Sequence, residues 1–389
     1  MDIKELSKKY KQYTIDMRRE FHMHPEASMH EERTSQRIKE ELEKMGIPYV
    51  SMAGTGVVAD IKGKNEGKTI ALRADIDALE ITEKRDVPYK SLNEGFMHAC
   101  GHDSHAAMLL GAAKMFNEIK DELNGTVRLM FQPGEEVAKG ALKMIEDGAL
   151  QGVDEVFGMH IMTNFPTGKI AIGSGPRMAS CDGFKITVKG KGGHGSMPHL
   201  AVDSILAASA IVMNLQSIVS REISPMDIGV VSVDQFNSGT RFNIIADEAV
   251  LIGTTRCYSY EIRKLLPEAM ERIAKSTAAA YRAEADLHYD FMTGPVINNE
   301  VSTERVRKSI EKIMSKDAVM EMALQSGAED FSEYLLKVPG TFVIVGSANE
   351  EKDTCYNNHH AKFDIDEDML EHGIALHVQY AVDFLNGEK

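Results

Sequence analysis

The 389-residue chain has no tryptophan, only four cysteines, and no run approaching the roughly 20 apolar residues that span a membrane. The lack of such a run excludes a membrane-embedded protein as the first expectation. Four widely spaced cysteines do not make a disulfide framework, and a reduced, cytoplasmic protein is the simplest reading. Positive charge is also short. Against 59 Asp and Glu stand 44 Lys and Arg, a formal charge of −15, which argues against a nucleic-acid backbone as the main partner. The start, MDIKELSKKYKQY, is a charged helical pattern without the apolar core of a signal peptide. Internal repeats and low-complexity segments are missing too. The absence of tryptophan and the presence of 23 Met decide little, because Met is mostly core filler.

What is present is ordinary in bulk and unusual in one place. A composition of 43% hydrophobic and 26% charged residues is that of a globular protein, and the length predicts two domains. The unusual place is Met97 to Ala107, MHACGHDSHAA. In an extended segment Cys100 and His102 would face one point, as two metal ligands must. Thiolate and imidazole suit zinc or another borderline transition metal. Asp103 could orient such a ligand from behind. Two ligands do not make a site, so a buried Cys with surface histidines stands as the plain alternative.

Helical spacing covers residues 4–22 and 31–45, with RREFHMHPEASMHEERT between them, whose histidines read as a solvated loop. Strands follow at 56–61 and 69–74, the second running into Asp75 and Asp77. These are either supports for a site at a strand end or plain turn residues. A helix at 106–119 leads to the strand TVRLMF, which delivers Gln132-Pro133-Gly134-Glu135-Glu136. One Glu of such a pair can bind metal while its neighbour works as a base. His160 closes the next strand, at 155–161, where a satisfied core histidine is the commoner role. The alternation of strands and helices predicts a three-layer α/β domain with a largely parallel sheet.

Near residue 177 the pattern changes. Strand, helix, two strands, helix and strand follow between 184 and 291, the order of a ferredoxin-like split βαβ domain. It carries GGHGSMPH, with His194 and His199. The predicted domains are therefore 1–178 with 293–389, and an inserted 179–292 suited to packing against another copy. Beyond it lie SGAEDF, the apolar strand GTFVIVG, the pair His359-His360, and a C-terminal helix to about residue 384. Asp364 and Asp366 read as helix-starting acids.

Taken in order, RREFHMHPE, ALRADIDALEI, HACGHDSHAAMLLGAA, FQPGEE, GMHI, GGHGSMPH, SGAEDFSEY and HHAKFDIDE resemble the co-catalytic metallohydrolases that include aminoacylases and carboxypeptidases. The closest match is the branch of hippurate hydrolases, indole-acetyl-amino-acid hydrolases and N-acetyldiaminopimelate deacetylase, and the resemblance spans essentially the whole chain. It implies a metallopeptidase-type (phosphorylase/hydrolase-like) catalytic domain with an inserted lid or dimerisation domain. It implies two divalent ions per subunit, zinc or manganese, with cobalt or nickel as substitutes. Five ligands carry over: Cys100, His102, Glu136, His160 and His359, with His360 as the fallback for the last. Glu135 carries over as general base and His194 as an oxyanion donor reaching a partner subunit's site. Asn243 and Arg256 fall near positions where relatives bind a substrate carboxylate.

Two departures are visible. The broader family has a His-x-Asp motif where this chain has Arg73-Ala74-Asp75, and the branch often has proline where Ala246 stands in NIIADEA. The implied reaction is hydrolysis of N-acyl amino acids, with a small-molecule substrate, no nucleic acid or membrane, and a homodimer or homotetramer formed through the insertion. A dipeptidase or carboxypeptidase is the alternative reaction. A binding protein on an inactivated scaffold is the alternative class, disfavoured because every ligand and the base are present.

Overall fold

The computed structural model describes residues 2–388. Two compact units emerge. The first runs to Gly175, takes in Ile297–Ala323 and resumes from Asp330; the second comprises Pro176–Val296 and Leu324–Glu329.

The first unit is built on an eight-stranded sheet in the order Tyr49–Met52, Gly56–Lys62, Asn124–Gln132, Asn65–Asp75, Glu155–Pro166, Gly340–Ala348, Ile170–Ile172, Val319–Glu321. The middle four strands are mutually parallel. Antiparallel strands flank them on both sides. The central strands are apolar on both faces, as parallel strands covered on each side must be. Their carboxyl ends lie on one side of the sheet. Asp75, Gln132 and the segment after His160 are delivered there together, where open α/β sheets gather their chemistry. Helices Ile3–His22, His102–Ile119 and Asp368–Leu385 share one continuous core with the sheet. The middle helix is buried almost all round, which explains its Ala- and Gly-rich sequence.

Two sequence expectations change here. Cys100 and His102 are not on an extended segment. Gly101 adopts a left-handed φ of 92° and the helix begins at His102, four residues before the expected start. A Cβ on Gly101 would lie 2.5 Å from Ile161 Cγ2, so both the turn and the close approach require glycine. The last helix begins at Asp368, and of the two acids only Asp366 serves its start, accepting Asp368 N at 3.1 Å. Asp366 accepts from Lys352 and Asn349. Asp364 accepts from Arg18 at 2.7 Å inside the protein.

The second unit is a four-stranded antiparallel sheet, Gly229–Ser238, Glu248–Cys257, Cys181–Lys189, Glu284–Thr293. Helices Ser204–Ser217 and Tyr260–Ala280 share a core with it. In chain order the strands stand 2-3-1-4, the split βαβ arrangement. The strand Glu248–Cys257 alternates strictly between buried and half-exposed residues, because helices cover one face only. This unit starts before and ends after the expected 179–292, and it also takes in 324–329. Backbone bonds explain that extra piece: Ala179 N donates to Gln325 O and Gly327 O. The helical run Ser204–Glu222 is long and apolar enough to cross a membrane by length and composition, with 33% of it buried. The sequence reading missed it because polar residues interrupt the apolar run. Ala207, Ala208, Ile211 and Leu215 pack inward, while Ile205, Leu206 and Met213 face outward.

Arg18 of the first unit is fully buried, with its guanidinium on Asp103 (2.9 Å) and Asp364 (2.7 Å). Burial opposes the charge on both carboxylates, yet Arg18 and His22 hold each below the usual carboxylate range. Such depressed groups supply stability that is fully present above their unfolded pKa of about 4 and lost as pH falls below it. Arg18→Met should therefore cost about 3 kcal/mol at pH 7, because Asp103 and Asp364 lose the guanidinium they share and keep only His22 and Arg85 beside them. The deficit should shrink below pH 4 as the carboxylates protonate. Urea unfolding at pH 7 and pH 3.5 checks this; an equal deficit at both pH values would rule the account out.

Candidate metal centre

Cys100 Sγ is the meeting point of the candidate ligands. His160 Nε2 and His359 Nε2 each lie 3.3 Å from it. His102 joins Cys100 and His160 in one group of convergent donor atoms, and Glu136 joins Cys100 and His359 in another. Glu135 converges with His102 and Glu136. Two donors sharing one ion at ordinary bond lengths sit about 3–4 Å apart.

The tautomers follow from the partners. His102 Nδ1 lies 3.1 Å from Asp77 Oδ1 and 3.0 Å from Asp77 O. Both oxygens only accept, so Nδ1 carries the proton and Nε2 presents its lone pair. His160 Nδ1 likewise donates to Ile161 O at 2.8 Å, leaving Nε2 toward Cys100. Burial, followed by His105, holds His160 well below the usual histidine range, so it stands as a neutral imidazole.

His105 looks like a further ligand, since it converges with Asp75 and His102. Its hydrogen bonds exclude that role. Ile161 N donates to its Nε2 at 2.8 Å, and its Nδ1 donates to Asp75 Oδ1 at 2.5 Å. No lone pair remains.

The donor set fits a cation. Among the described residues, His102 Nε2 and Glu136 Oε1 are buried and make no hydrogen bond, and they face each other at 4.0 Å. Two unpartnered buried donors at ligand spacing are costly without an ion between them. Burial and the Glu136 carboxylate also push the Cys100 thiol well up. Opposing burial, the Asp75 carboxylate pulls His102 well up, and the hydrogen bond to Asp77 adds to it. The locus therefore draws positive charge, from a proton or from a metal.

Supports behind these donors were only partly foreseen. Asp75 and Asp77, which the sequence left between support and turn, are both fully buried. Asp77 Oδ1 takes His102; Asp77 Oδ2 accepts Ser28 Oγ at 2.6 Å and Glu136 N at 3.1 Å. Asp75 Oδ2 takes Arg73 Nη1 at 2.6 Å. Arg73 also reaches Asp330 and Gln132. Burial pushes Asp330 up to about 6, against the pull of Arg73. Asp103 does not orient His102, since its oxygens go to Arg18, His22 and Ser104 N. His22, expected in a solvated loop, is fully buried there.

Of the paired histidines, His359 faces Cys100. His360 stacks on Tyr356 with ring centroids 4.8 Å apart. His359 holds a left-handed φ of 68°, rare for a residue with a Cβ, and its N–H is tied to Ala99 O at 2.7 Å. Asn358, which the sequence did not signal, donates to Cys100 O at 3.0 Å and to Ile161 O at 3.3 Å.

In the second unit His194 and Asn243 line one cavity of about 590 Å³. Ser196 N donates to His194 Nδ1 at 3.1 Å, so the proton sits on Nε2, an outward donor. The carbonyl of Ala246 accepts Ser204 Oγ at 2.9 Å. Arg256 is not with them. Glu248 borders the cavity, and Arg256 sits near the far end of that ten-residue strand, roughly 25 Å along. It bonds Thr255 O at 2.9 Å.

Comparisons with known proteins place the chain among metallohydrolases. The model of peptidase family M20/M25/M40 matches residues 71–383. The chain is 42% identical over 390 residues to thermostable carboxypeptidase 2 of Saccharolobus solfataricus, covering 99% of this chain and 98% of the relative. It is 41% identical over 361 residues to an N-acetylcysteine deacetylase of Bacillus subtilis, covering 92% of each. Among solved structures, a Bacillus subtilis protein described as a dinuclear metal binding peptidase from the M20 family superposes with a TM-score of 0.86. That pair is 37% identical, covering 97% of this chain and 99% of that one.

Asp77 generates the test of the centre. Asp77→Ala should lower divalent-metal affinity about 10- to 100-fold, the usual effect of losing the group that orients a ligating histidine. Competition against a chromophoric chelator measures it. Wild-type affinity in the variant would show that Asp77 does not orient His102.

Proposed function

The chain belongs to peptidase family M20/M25/M40, and from that premise we propose that it is a metal-dependent amidohydrolase of N-acyl amino acids, releasing a carboxylate and a free amino acid. The observation that carries the proposal is the pair of overlapping donor groups that share Cys100, with Glu135 beside them as a second carboxylate.

In this reading Cys100, His102, Glu136, His160 and His359 hold two divalent ions, zinc or manganese, with cobalt or nickel as substitutes. Bound there, the ions would acidify a water and draw charge from the substrate carbonyl. Glu135 takes the proton from the attacking water and returns it to the leaving amine. Asp77 keeps the His102 Nε2 lone pair aimed inward. The role proposed for His194 is donation from Nε2–H to the developing oxyanion. Asn243 and Arg256 are proposed as contacts for the substrate carboxylate. Their separation along the second unit assigns them to different bound molecules or different ends of one.

A second reading is peptide hydrolysis, favoured by the carboxypeptidase relative, whose 42% identity is level with the 41% of the deacetylase. The substrates differ in whether the acyl side ends in a capped group or a free amine. The test is amino-acid release from N-acetyl, N-benzoyl and longer N-acyl amino acids beside dipeptides, with and without chelator. Metal-dependent release from the acylated members is expected, and release from dipeptides alone would establish the second reading. Glu135→Gln should keep its metal and lose about two to four orders of magnitude in kcat. Near-normal turnover in that variant would remove Glu135 as the base.

Homodimer formation is proposed through the second unit. Leu206 (55% exposed) and Met213 (73%) lie on its first helix, and the edge strand Gly229–Ser238 adds Phe236 to the uncovered apolar surface. Light scattering should give a dimer that Leu206→Lys with Met213→Lys turns into a monomer. A doubly substituted protein that stays dimeric would place the interface elsewhere.

A further inference from the structure

Glu135 opens a tight turn, and the backbone on each side of it is gripped by a buried carboxylate from another segment. On one side Glu136 N donates to Asp77 Oδ2 at 3.1 Å. On the other, Gly134 N donates to Glu31 Oε1 at 2.9 Å. The proposed function uses Asp77 through His102, but it leaves Glu31 without a part.

Glu31 is an odd residue to bury. It is 0% exposed and forms no ion pair among the described residues; its partners are all neutral donors. It stands at the N-cap of the helix Glu32–Met45, yet its side chain makes no capping bond to that helix. Instead Oε1 accepts Met29 N at 2.8 Å as well as Gly134 N, and Oε2 accepts Thr55 Oγ1 at 2.5 Å. A carboxylate that leaves its own helix end to hold three distant or turn donors has been moved from a cheap local role to an expensive one.

The same loop closes on the turn from a second direction. Gly134 has φ 61°, and a Cβ there would lie 2.4 Å from Met29 Sδ. Met29 itself holds a left-handed φ of 66°. Backbone strain at Met29, the missing side chain at Gly134 and the Glu31 bond therefore all fix one contact. Beyond Glu135 the turn closes on itself, with Ala138 N on Glu135 O at 2.8 Å. The carboxyl group of Glu135 is thus carried by a backbone whose two flanking amides are anchored.

We propose that Glu31 is a positioning residue for the reaction: by holding Gly134 N–H opposite the Asp77 grip on Glu136 N–H, it fixes the direction in which Glu135 presents its carboxylate. The inference rests on the reading of Glu135 as the general base. Precise placement of a base is worth large factors in rate without altering affinity. A neutral isostere keeps the grip. In Glu31→Gln the amide oxygen accepts the two N–H groups and its NH₂ donates to Thr55 Oγ1. Glu31→Ala removes the grip altogether.

The experiment measures kcat, KM and bound metal on an N-acetyl amino acid for wild type, Glu31→Ala, Glu31→Gln, Glu135→Gln and the double variant Glu31→Ala/Glu135→Gln. Glu31→Ala is expected to lose 10- to 100-fold in kcat, with KM within threefold and metal content unchanged. Glu31→Gln is expected within threefold of wild type. On the Glu135→Gln background, Glu31→Ala is expected to cost nothing further, because the group it positions is already gone. The inference is overturned by wild-type kcat in Glu31→Ala, by loss of metal, by Glu31→Gln as poor as Glu31→Ala, or by a full further loss on the Glu135→Gln background. If Glu31→Ala does not fold, Glu31→Asp decides, since it keeps the charge but draws the oxygens back. A fivefold or greater loss in kcat alone supports the inference, and unchanged kcat overturns it. Normal turnover in Glu135→Gln overturns the general-base reading and this inference together. An inactive Glu135→Gln beside a normal Glu31→Ala overturns this inference alone.

Discussion

The first unit depends on the burial of one carboxylate, Asp77. It is fully inaccessible, and burial works against its charge, yet the His102 bond and Ser28 hold it below the ordinary carboxylate range. Each of its oxygens ties a different part of the chain. Through Oδ1 it fixes the His102 tautomer at the start of a helix; through Oδ2 it takes Ser28 from the N-terminal loop and Glu136 N from the turn after a central strand. Three segments far apart in sequence meet on one charge. An unpaired buried carboxylate would be expensive, so none of the three can drift without exposing that cost.

The donors themselves arrive by different local devices. Glu136 is delivered by strand-end geometry and His160 by a strand buried on both faces. Cys100 and His102 are brought together by a left-handed glycine and a helix start. His359 is held in a strained backbone by a bond to Ala99 O. Strain of this kind persists only where the surroundings over-determine it. Here Asn358, on the preceding residue, locks the Cys100 and Ile161 carbonyls and does part of that work.

How legible was this from sequence? The strands and most helices were, because apolar runs such as TVRLMF and GTFVIVG and helical spacing in residues 4–22 reflect burial directly. The second unit was legible as an order of elements, and its 2-3-1-4 sheet follows from that order. Short edge strands such as Tyr49–Met52 were not, since four half-exposed residues carry no periodicity. The convergence of Cys100, His102, Glu136, His160 and His359 could be listed from motifs, but not their tautomers. Those depend on Asp77 O and Ile161 O, backbone atoms that no motif displays. The histidine-rich N-terminal loop misled for the same reason. His22 reads as a surface residue until Asp103 and Glu83, 81 and 61 residues away, are seen to enclose it.

The Arg73-Ala74-Asp75 departure has a physical consequence of its own. Asp75 Oδ2 lies 3.8 Å from His102 Nε2, close enough to be counted with the candidate donors. Both its oxygens are engaged, one by the Arg73 guanidinium and one by His105. Asp75 therefore contributes negative charge to the locus with both of its oxygens already tied to protein donors. Arg73, fully buried and shared with Asp330, is a fixed cation that cannot be deprotonated and cannot ligate. Where a His-x-Asp motif would bring a ligand, the Arg-x-Asp pair brings a buried ion pair. The candidate donors gather instead around Cys100 Sγ, which lies 3.3 Å from both His160 Nε2 and His359 Nε2, so the thiol in MHACGH is the atom that two of the donor groups share.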